Sequence, residues 1–178
     1  MGASFRIIAL TPTGLLDPSV AIAASRAGEL GVLSLDEAGD PGRAAEAIGQ
    51  MGRLSRGDCG IRLGRGTLAS FDALISRLPD AVKTVIVTAG EPELERHVRL
   101  LAERGITVLL EVTSIDEARQ GAAAGAHGLL AKGHEAGGCQ AKTRMVPRFS
   151  PEPRSEVFNF DFFVDSRVSS MVFHRPLP

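Results

Sequence analysis

The sequence predicts an α/β fold: an incomplete (β/α)8 barrel of the TIM type with about six parallel strands, plus a C-terminal tail unrelated to it. Short apolar runs alternate with amphipathic stretches from the N-terminus to Gly138. Each run is nearly continuous, as in parallel strands that are buried on both faces. All 20 glycines lie at or before Gly138, whereas six of the eight phenylalanines follow residue 139. We therefore divide the chain into a partial barrel, 1–138, and an irregular, Phe-rich tail, 139–178.

The strands are predicted from short apolar runs rich in β-branched residues. The clearest are TVIVTA, from Thr84 to Ala89, and TVLLEV, from Thr107 to Val112. In the tail, 157–164 and 167–173 are weaker candidates. The six predicted strands of the barrel cover residues 6–10, 32–35, 59–63, 84–89, 107–112 and 128–132.

The helices are predicted from their capping signals and apolar stripes. Asp17-Pro18 and Asp40-Pro41 each place an N-cap before a proline at the first helical position, and Ser114–Glu117 is a capping box. Glycines mark the ends: Gly28 or Gly31, Gly52, Gly105 and Gly125. The predicted apolar faces are Val20/Ala23/Ala24/Ala27, Ala44/Ala45/Ile48/Met51, Phe71/Leu74/Ile75/Leu78 and Leu94/Val98/Leu101.

Repeated βα units fit either an open doubly wound sheet or a barrel. The segment after the first strand, Thr11-Pro12-Thr13-Gly14, lacks the glycine pattern of a dinucleotide-binding sheet. The regular units favour a barrel. Because a whole barrel takes about 250 residues, we expect two βα units to be missing.

Composition excludes several classes of function. The 20 Lys+Arg and 21 Asp+Glu give a net charge of -1, so we expect no nucleic-acid or anionic-membrane partner. No apolar stretch approaches the roughly 18 residues of a membrane span, and the N-terminus does not resemble a signal peptide. Cys59 and Cys139 form no disulfide framework or metal cluster. We expect a cytoplasmic protein without a metal site.

Polar residues collect where the predicted strands end. In a parallel barrel the carboxyl ends of the strands form the active face, so these residues are candidates for a site. After the sixth strand, three glycines within Gly133–Gly138 allow close backbone approach to a ligand. The strand-end residues are Thr11, Thr13, Ser34, Asp36, Arg62, Thr88, Glu111, Thr113, Lys132 and His134.

The run from Thr107 to Gly138 resembles the nitronate monooxygenase (2-nitropropane dioxygenase-like) family. The similarity lies in Val112-Thr113-Ser114, Glu117-Ala118-Arg119 and Gly133-His134-Glu135-Ala136-Gly137-Gly138. The opening, with Ala27–Leu33, is also similar to that family. The TPTGLLDP and GHEAGG segments look most like the variant embedded in polyketide and polyunsaturated-fatty-acid synthases.

This resemblance implies an FMN-binding barrel that oxidises nitronates or reduces acyl substrates in a synthase. It places Thr11, Gly133, Glu135, Gly137 and Gly138 at the cofactor. His134 is then the expected catalytic proton donor. Cys139 stands where the family has a histidine, and His127 stands at a family aspartate that we expect to order a helix–strand turn. The family's glycine-rich phosphate loops, after strands seven and eight, have no counterpart after Gly138.

Three functions stay open from sequence. The first is an FMN-dependent oxidoreductase domain, impaired by truncation, that acts on a small molecule or an acyl substrate. The second is a non-catalytic fragment or interaction piece, which could form homo-oligomers through open sheet edges. The third is another phosphate-binding barrel, with Lys132 as a Schiff-base residue. In the first, Glu111 is expected to orient a substrate or a loop.

Overall fold

A computed structural model describes residues 7–36, 39–64, 71–75, 78–132 and 170–174. These residues form a seven-stranded sheet whose spatial order follows the chain order. The strands are β1 (Ile8–Leu10), β2 (Leu30–Ser34), β3 (Cys59–Leu63), β4 (Val82–Thr88), β5 (Thr107–Val112), β6 (Gly128–Lys132) and β7 (Ser170–His174).

The first six strands are parallel to one another, each paired with the next. A doubly wound sheet would reverse its strand order near the middle, and this sheet does not. The six strands curl into part of a barrel, which confirms the predicted fold class. The predicted bounds of β3, β5 and β6 are the observed ones, and β1, β2 and β4 differ by one or two residues at their ends.

Five helices connect the parallel strands. Asp40 caps α2 as predicted, because its Oδ1 accepts from the backbone N–H groups of Gly42 (2.8 Å) and Arg43 (3.4 Å). Ser114 caps α5 by accepting from the N–H of Glu117 at 3.2 Å. The helices are α1 (Ser19–Arg26), α2 (Pro41–Leu54), α3 (Phe71–Ile75), α4 (Leu94–Glu103) and α5 (Ile115–Ala123).

The first helix differs from its prediction in both start and face. It begins at Ser19, with Pro18 in the N-cap position. Asp17 still supports the first turn, since its Oδ1 accepts from the N–H of Ser19 at 2.9 Å. The predicted face was wrong, because Val20 is half exposed. The buried residues are Ala21, Ile22 and Ser25.

The second helix was predicted to end at Gly52, but it continues to Leu54. A Cβ at Gly52 would lie 2.7 Å from the Cβ of Pro79. The glycine therefore allows α2 to pack closely against Pro79, and its predicted role as the end of the helix was wrong. Gly28, Gly105 and Gly125 do follow helix ends with positive φ angles of 87°, 70° and 84°.

Apolar side chains form two clusters, one on each face of the sheet. The larger lies between the strands and the helices and includes Leu33, Ile61 and Leu110 from the strands, with Met51 and Leu101 from the helices. The smaller lies on the concave inner face. It contains Val32, Ile86, Leu109 and Leu130. Burial on both faces explains why these strands are apolar throughout.

The tail contributes β7, which pairs antiparallel with β6 from Gly128↔His174 to Lys132↔Ser170. This strand lies largely within the weaker candidate over 167–173. The candidate over 157–164 is outside the described residues. Within the described sheet, the edge strands are β1 and β7, and both edges of β6 are paired.

Helices in the described part of the chain are all too short or too polar to cross a lipid bilayer.

Candidate functional site

The carboxyl ends of the parallel strands carry a layer of buried polar residues on the concave face. Strand residues alternate between faces, and four of these polar residues come two positions after a member of the inner apolar cluster. Each is at most 8% exposed. Ser34, Thr88, Glu111 and Lys132 follow Val32, Ile86, Leu109 and Leu130, and Arg62 has the same position on β3.

Arg62 is the centre of this layer. Its Nε donates to Oε1 of Glu111 and its Nη2 to Oε2, both at 2.7 Å, which makes a two-point ion pair. Its Nη1 pairs with Oδ2 of Asp36 and reaches Oγ of Ser34 at 3.5 Å. The planar guanidinium suits such paired carboxylates. Arg62 thus connects residues of β2, of the loop after β2, and of β5.

Lys132 extends the network to β6. Its Nζ lies 3.3 Å from Oε2 of Glu111, and its side chain is 10% exposed. The network therefore contains two cations and two carboxylates, and its formal charge is zero. This balance, with short hydrogen bonds, offsets much of the desolvation cost of burying four charges.

Asp36 carries the one acceptor of the network that lacks a partner within the described part of the chain. Its Oδ1 is buried and accepts no hydrogen bond there. A Cβ on Gly64 would run into this same oxygen, so the glycine makes room for the carboxylate. An unpartnered buried carboxylate oxygen is costly and marks a place for an N–H or O–H donor.

Thr11 ties the first strand to this layer. Its backbone N–H donates to the carbonyl oxygen of Val32, and its Oγ1 accepts from the N–H of Ser34, both at 2.9 Å. The side chain is 2% exposed. Thr11 thus lies beside the network residue Ser34, and its contact with a cofactor stays a prediction.

The predicted loop residues lie outside the described residues. These are the proposed catalytic His134 and the cofactor residues Gly133, Glu135, Gly137 and Gly138. Lys132, the last residue of β6, directly precedes them. Lys132 of the charged network is therefore the last described residue before the predicted loop.

The sequence contains a signal for this network, although the signal does not say which residues pair. Arg62, Glu111 and Lys132 are each the single charged residue of a largely buried strand. Such residues are rarely buried unless paired. Their spacing along the chain gives no indication that they contact one another. Both oxygens of Glu111 accept from Arg62, so this carboxylate is held by protein cations.

Two other polar groups lie away from the site. Cys59 is buried in the cluster under the helices, and desolvation raises the pKa of its thiol above the ordinary value. Nδ1 of His127 accepts from the N–H of Val108 at 3.1 Å, so this side chain bonds to β5, and its role in the helix–strand turn stays a prediction. In the described ranges, no group of three or more His, Cys, Asp or Glu side chains could hold a metal ion.

Comparison with solved structures gives a similarity to FabK from Thermotoga maritima, with a TM-score of 0.67 and 26% sequence identity. The match covers 78% of this chain and 44% of FabK. A single-substitution mutant of that FabK matches with a TM-score of 0.65 and 25% identity over 78% of this chain and 47% of the mutant. This chain thus spans less than half the length of the FabK structures. No family model and no curated protein matches it. The likeness supports the resemblance to the nitronate monooxygenase family at the level of the fold.

Proposed function

We propose that this chain forms part of a flavin-dependent oxidoreductase barrel of the nitronate monooxygenase-like type, with FMN as its cofactor. The observation that carries the proposal is the buried network of Asp36, Arg62, Glu111 and Lys132 at the carboxyl ends of the strands. In a parallel barrel this is the end that binds ligands. Lys132 directly precedes Gly133–Gly138 in sequence, and this segment is the most specific motif of the resemblance.

The described residues fit the polar edge of a flavin ring, which presents both acceptors and an N–H donor. Lys132 has N–H donors beyond its one contact with Glu111, and Asp36 Oδ1 is a buried acceptor with no described partner. These two residues would hold the ring edge, with Thr11 nearby on β1. A bound flavin supplies the electron-pair transfer, which none of these side chains can supply.

The chain's own residues then have three tasks. Arg62 and Glu111 hold Lys132 and Asp36 in place across the concave face. The glycines of Gly133–Gly138 allow the backbone to approach the ring closely. His134 is proposed to move the proton that accompanies electron transfer.

Reduction of an acyl substrate is the reaction that we favour over nitronate oxidation. The TPTGLLDP and GHEAGG segments look most like the barrels embedded in polyketide and polyunsaturated-fatty-acid synthases, for which the resemblance implies flavin-dependent reduction of acyl substrates. In addition, Cys139 replaces the histidine that the nitronate-oxidising relatives carry after the double glycine. We propose an acyl thioester as the substrate class and a synthase as the setting.

The test is flavin binding by the purified full chain. Added FMN should lose fluorescence on binding, and dithionite should bleach the bound flavin. Oxidation of the dithionite-reduced flavin by crotonyl-CoA without oxygen, with formation of butyryl-CoA, would then support reduction of an enoyl thioester. Oxygen uptake with ethyl nitronate and no reaction with crotonyl-CoA would overturn the choice of substrate.

A second candidate is a non-catalytic interaction piece. It is favoured by one observation, that the outer edge of β6 pairs with the antiparallel strand β7, where a barrel would continue with a parallel strand. In that case a well-folded chain should bind neither FMN nor riboflavin, even when either flavin is in large excess. Such a result would overturn the oxidoreductase proposal.

A further inference from the structure

Lys132 is the member of the charged network with hydrogen-bond donors to spare. An ammonium group has three N–H donors, and Glu111 is the single partner that the described structure gives it, at 3.3 Å. Its side chain is nine-tenths buried. The described residues give the other two N–H donors no acceptor. Lys132 therefore has room for a ligand acceptor.

The other cation of the network is already engaged. Arg62 directs Nε and Nη2 to Glu111, and Nη1 to Asp36 and Ser34. Lys132 also lies next to Gly133, where the glycine-rich loop begins. Of the two buried cations, Lys132 is thus the one placed to contact a ligand.

The zero formal charge of the network limits the kind of ligand atom that Lys132 can bind. Two cations face two carboxylates, so the network has no surplus positive charge with which to neutralise a phosphate dianion. Burying a dianion beside Glu111 and Asp36 would be strongly unfavourable. A carbonyl oxygen or a ring nitrogen, which carries only a partial charge, can accept from Lys132 without that cost.

We propose that Lys132 binds the flavin through the acceptor atoms of the ring's pyrimidine edge, and that Glu111 is the positioning residue that holds the Lys132 ammonium there. This inference rests on the proposed function and adds which residue donates hydrogen bonds to the flavin ring. It distinguishes a ring contact from a phosphate contact, since both phosphate oxygens and ring oxygens of FMN could accept from an ammonium.

The experiment compares FMN with riboflavin, which has the same ring and no phosphate. Dissociation constants are measured by flavin fluorescence quenching for the full chain and for Lys132→Met. Loss of a charged hydrogen bond should weaken binding of both flavins by about tenfold or more. Lys132→Gln keeps an N–H donor and should lose less. Lys83→Met is the matched control, since Lys83 is exposed on β4, and it should bind both flavins as the unmodified chain does.

Three outcomes would overturn the assignment. Weaker binding of FMN alone would place Lys132 at the phosphate. Unchanged binding of both flavins by Lys132→Met and by Lys132→Gln would remove Lys132 from the site. An unmodified chain that binds neither flavin would overturn the proposed function, and the assignment with it. The midpoint of urea unfolding, measured for each variant, identifies any loss that comes from misfolding.

The role of Glu111 is tested by a double-mutant cycle. Glu111→Gln alone should weaken binding of both flavins, because the ammonium loses its charged partner. In a Lys132→Met background the same change should have no further effect on flavin affinity. Additive losses would show that Glu111 acts independently of Lys132 and would overturn the positioning role.

Discussion

Arg62 and Glu111 are 49 positions apart in sequence and form a two-point ion pair on the concave face of the sheet, with both N–O distances at 2.7 Å. Neither side chain is more than 7% exposed. The strands that carry them, β3 and β5, are not neighbours, because β4 lies between them. The pair therefore spans β4 and connects two separate strands of the half-barrel.

Removing one partner of this pair should be costly. Arg62→Met leaves the carboxylates of Glu111 and Asp36 without their guanidinium, so we expect the free energy of unfolding to fall by about 3–5 kcal/mol. Urea denaturation measures it. Arg119→Met is the control, since the Arg119–Asp116 pair is exposed and should contribute less than about 1 kcal/mol. Equal losses in the two variants would contradict a special role for the buried pair.

Gly31 should not tolerate a side chain. A Cβ at this position in β2 would overlap the backbone of Ala21 in α1, so Gly31→Ala should force the helix off the sheet and cost about 1–3 kcal/mol or more. Gly49→Ala is the matched change within α2, where the nearest atom is the side chain of Arg53 at 3.4 Å. It should stabilise the chain by about 0.5–1 kcal/mol. Thermal unfolding of both variants shows whether Gly31→Ala lowers the stability of the chain and Gly49→Ala raises it.

Cys59 should react slowly with thiol reagents in the folded protein. Burial raises the pKa of its thiol, so the reactive thiolate is scarce as well as inaccessible. In a Cys139→Ser variant, where Cys59 is the single thiol, the rate of reaction with a disulfide reagent should rise steeply only when denaturant unfolds the chain. Rapid reaction of the folded protein near neutral pH would contradict the burial of Cys59.

The same pKa shift predicts a pH dependence of stability. Because the thiol pKa is higher in the folded state, folding favours the protonated form. The contribution is complete below the pKa of the unfolded thiol, about 8.5, and is lost as the pH rises through the folded-state value. The difference in unfolding free energy between the unmodified chain and Cys59→Ala should therefore become smaller as the pH rises above the pKa of the unfolded thiol. A constant difference would contradict the shift.

His127 should stabilise the start of β5 and β6 through its ring nitrogen. Its ring Nδ1 accepts from the backbone N–H of Val108. The backbone N–H of His127 donates to the carbonyl oxygen of Val108 at 2.9 Å. His127→Leu removes the acceptor and should cost about 1–3 kcal/mol. His127→Asn can place an oxygen near the same position and should cost less. Similar losses in chemical denaturation would show that packing, not the hydrogen bond, is what His127 provides.

The strands were the part of the fold most open to prediction. Cys59–Leu63, Thr107–Val112 and Gly128–Lys132 have the predicted bounds because they are buried on both faces, which leaves an unbroken apolar run in the sequence. Helix faces were harder. In α1 the alanines on both sides look alike in sequence, and only contact with β2 makes Ala21 and Ile22 the buried pair.

The sequence by itself determined the alternation of strands and helices, the caps at Asp40 and Ser114, and the fact that polar residues end the strands. Those features depend on residues close together in the chain. Which strand ends meet depends on how the sheet curls, so only the tertiary structure decided that Arg62 pairs with Glu111 and that Glu111 holds Lys132. Buried charges need partners, but their spacing in sequence does not say which partner a curled sheet will bring near.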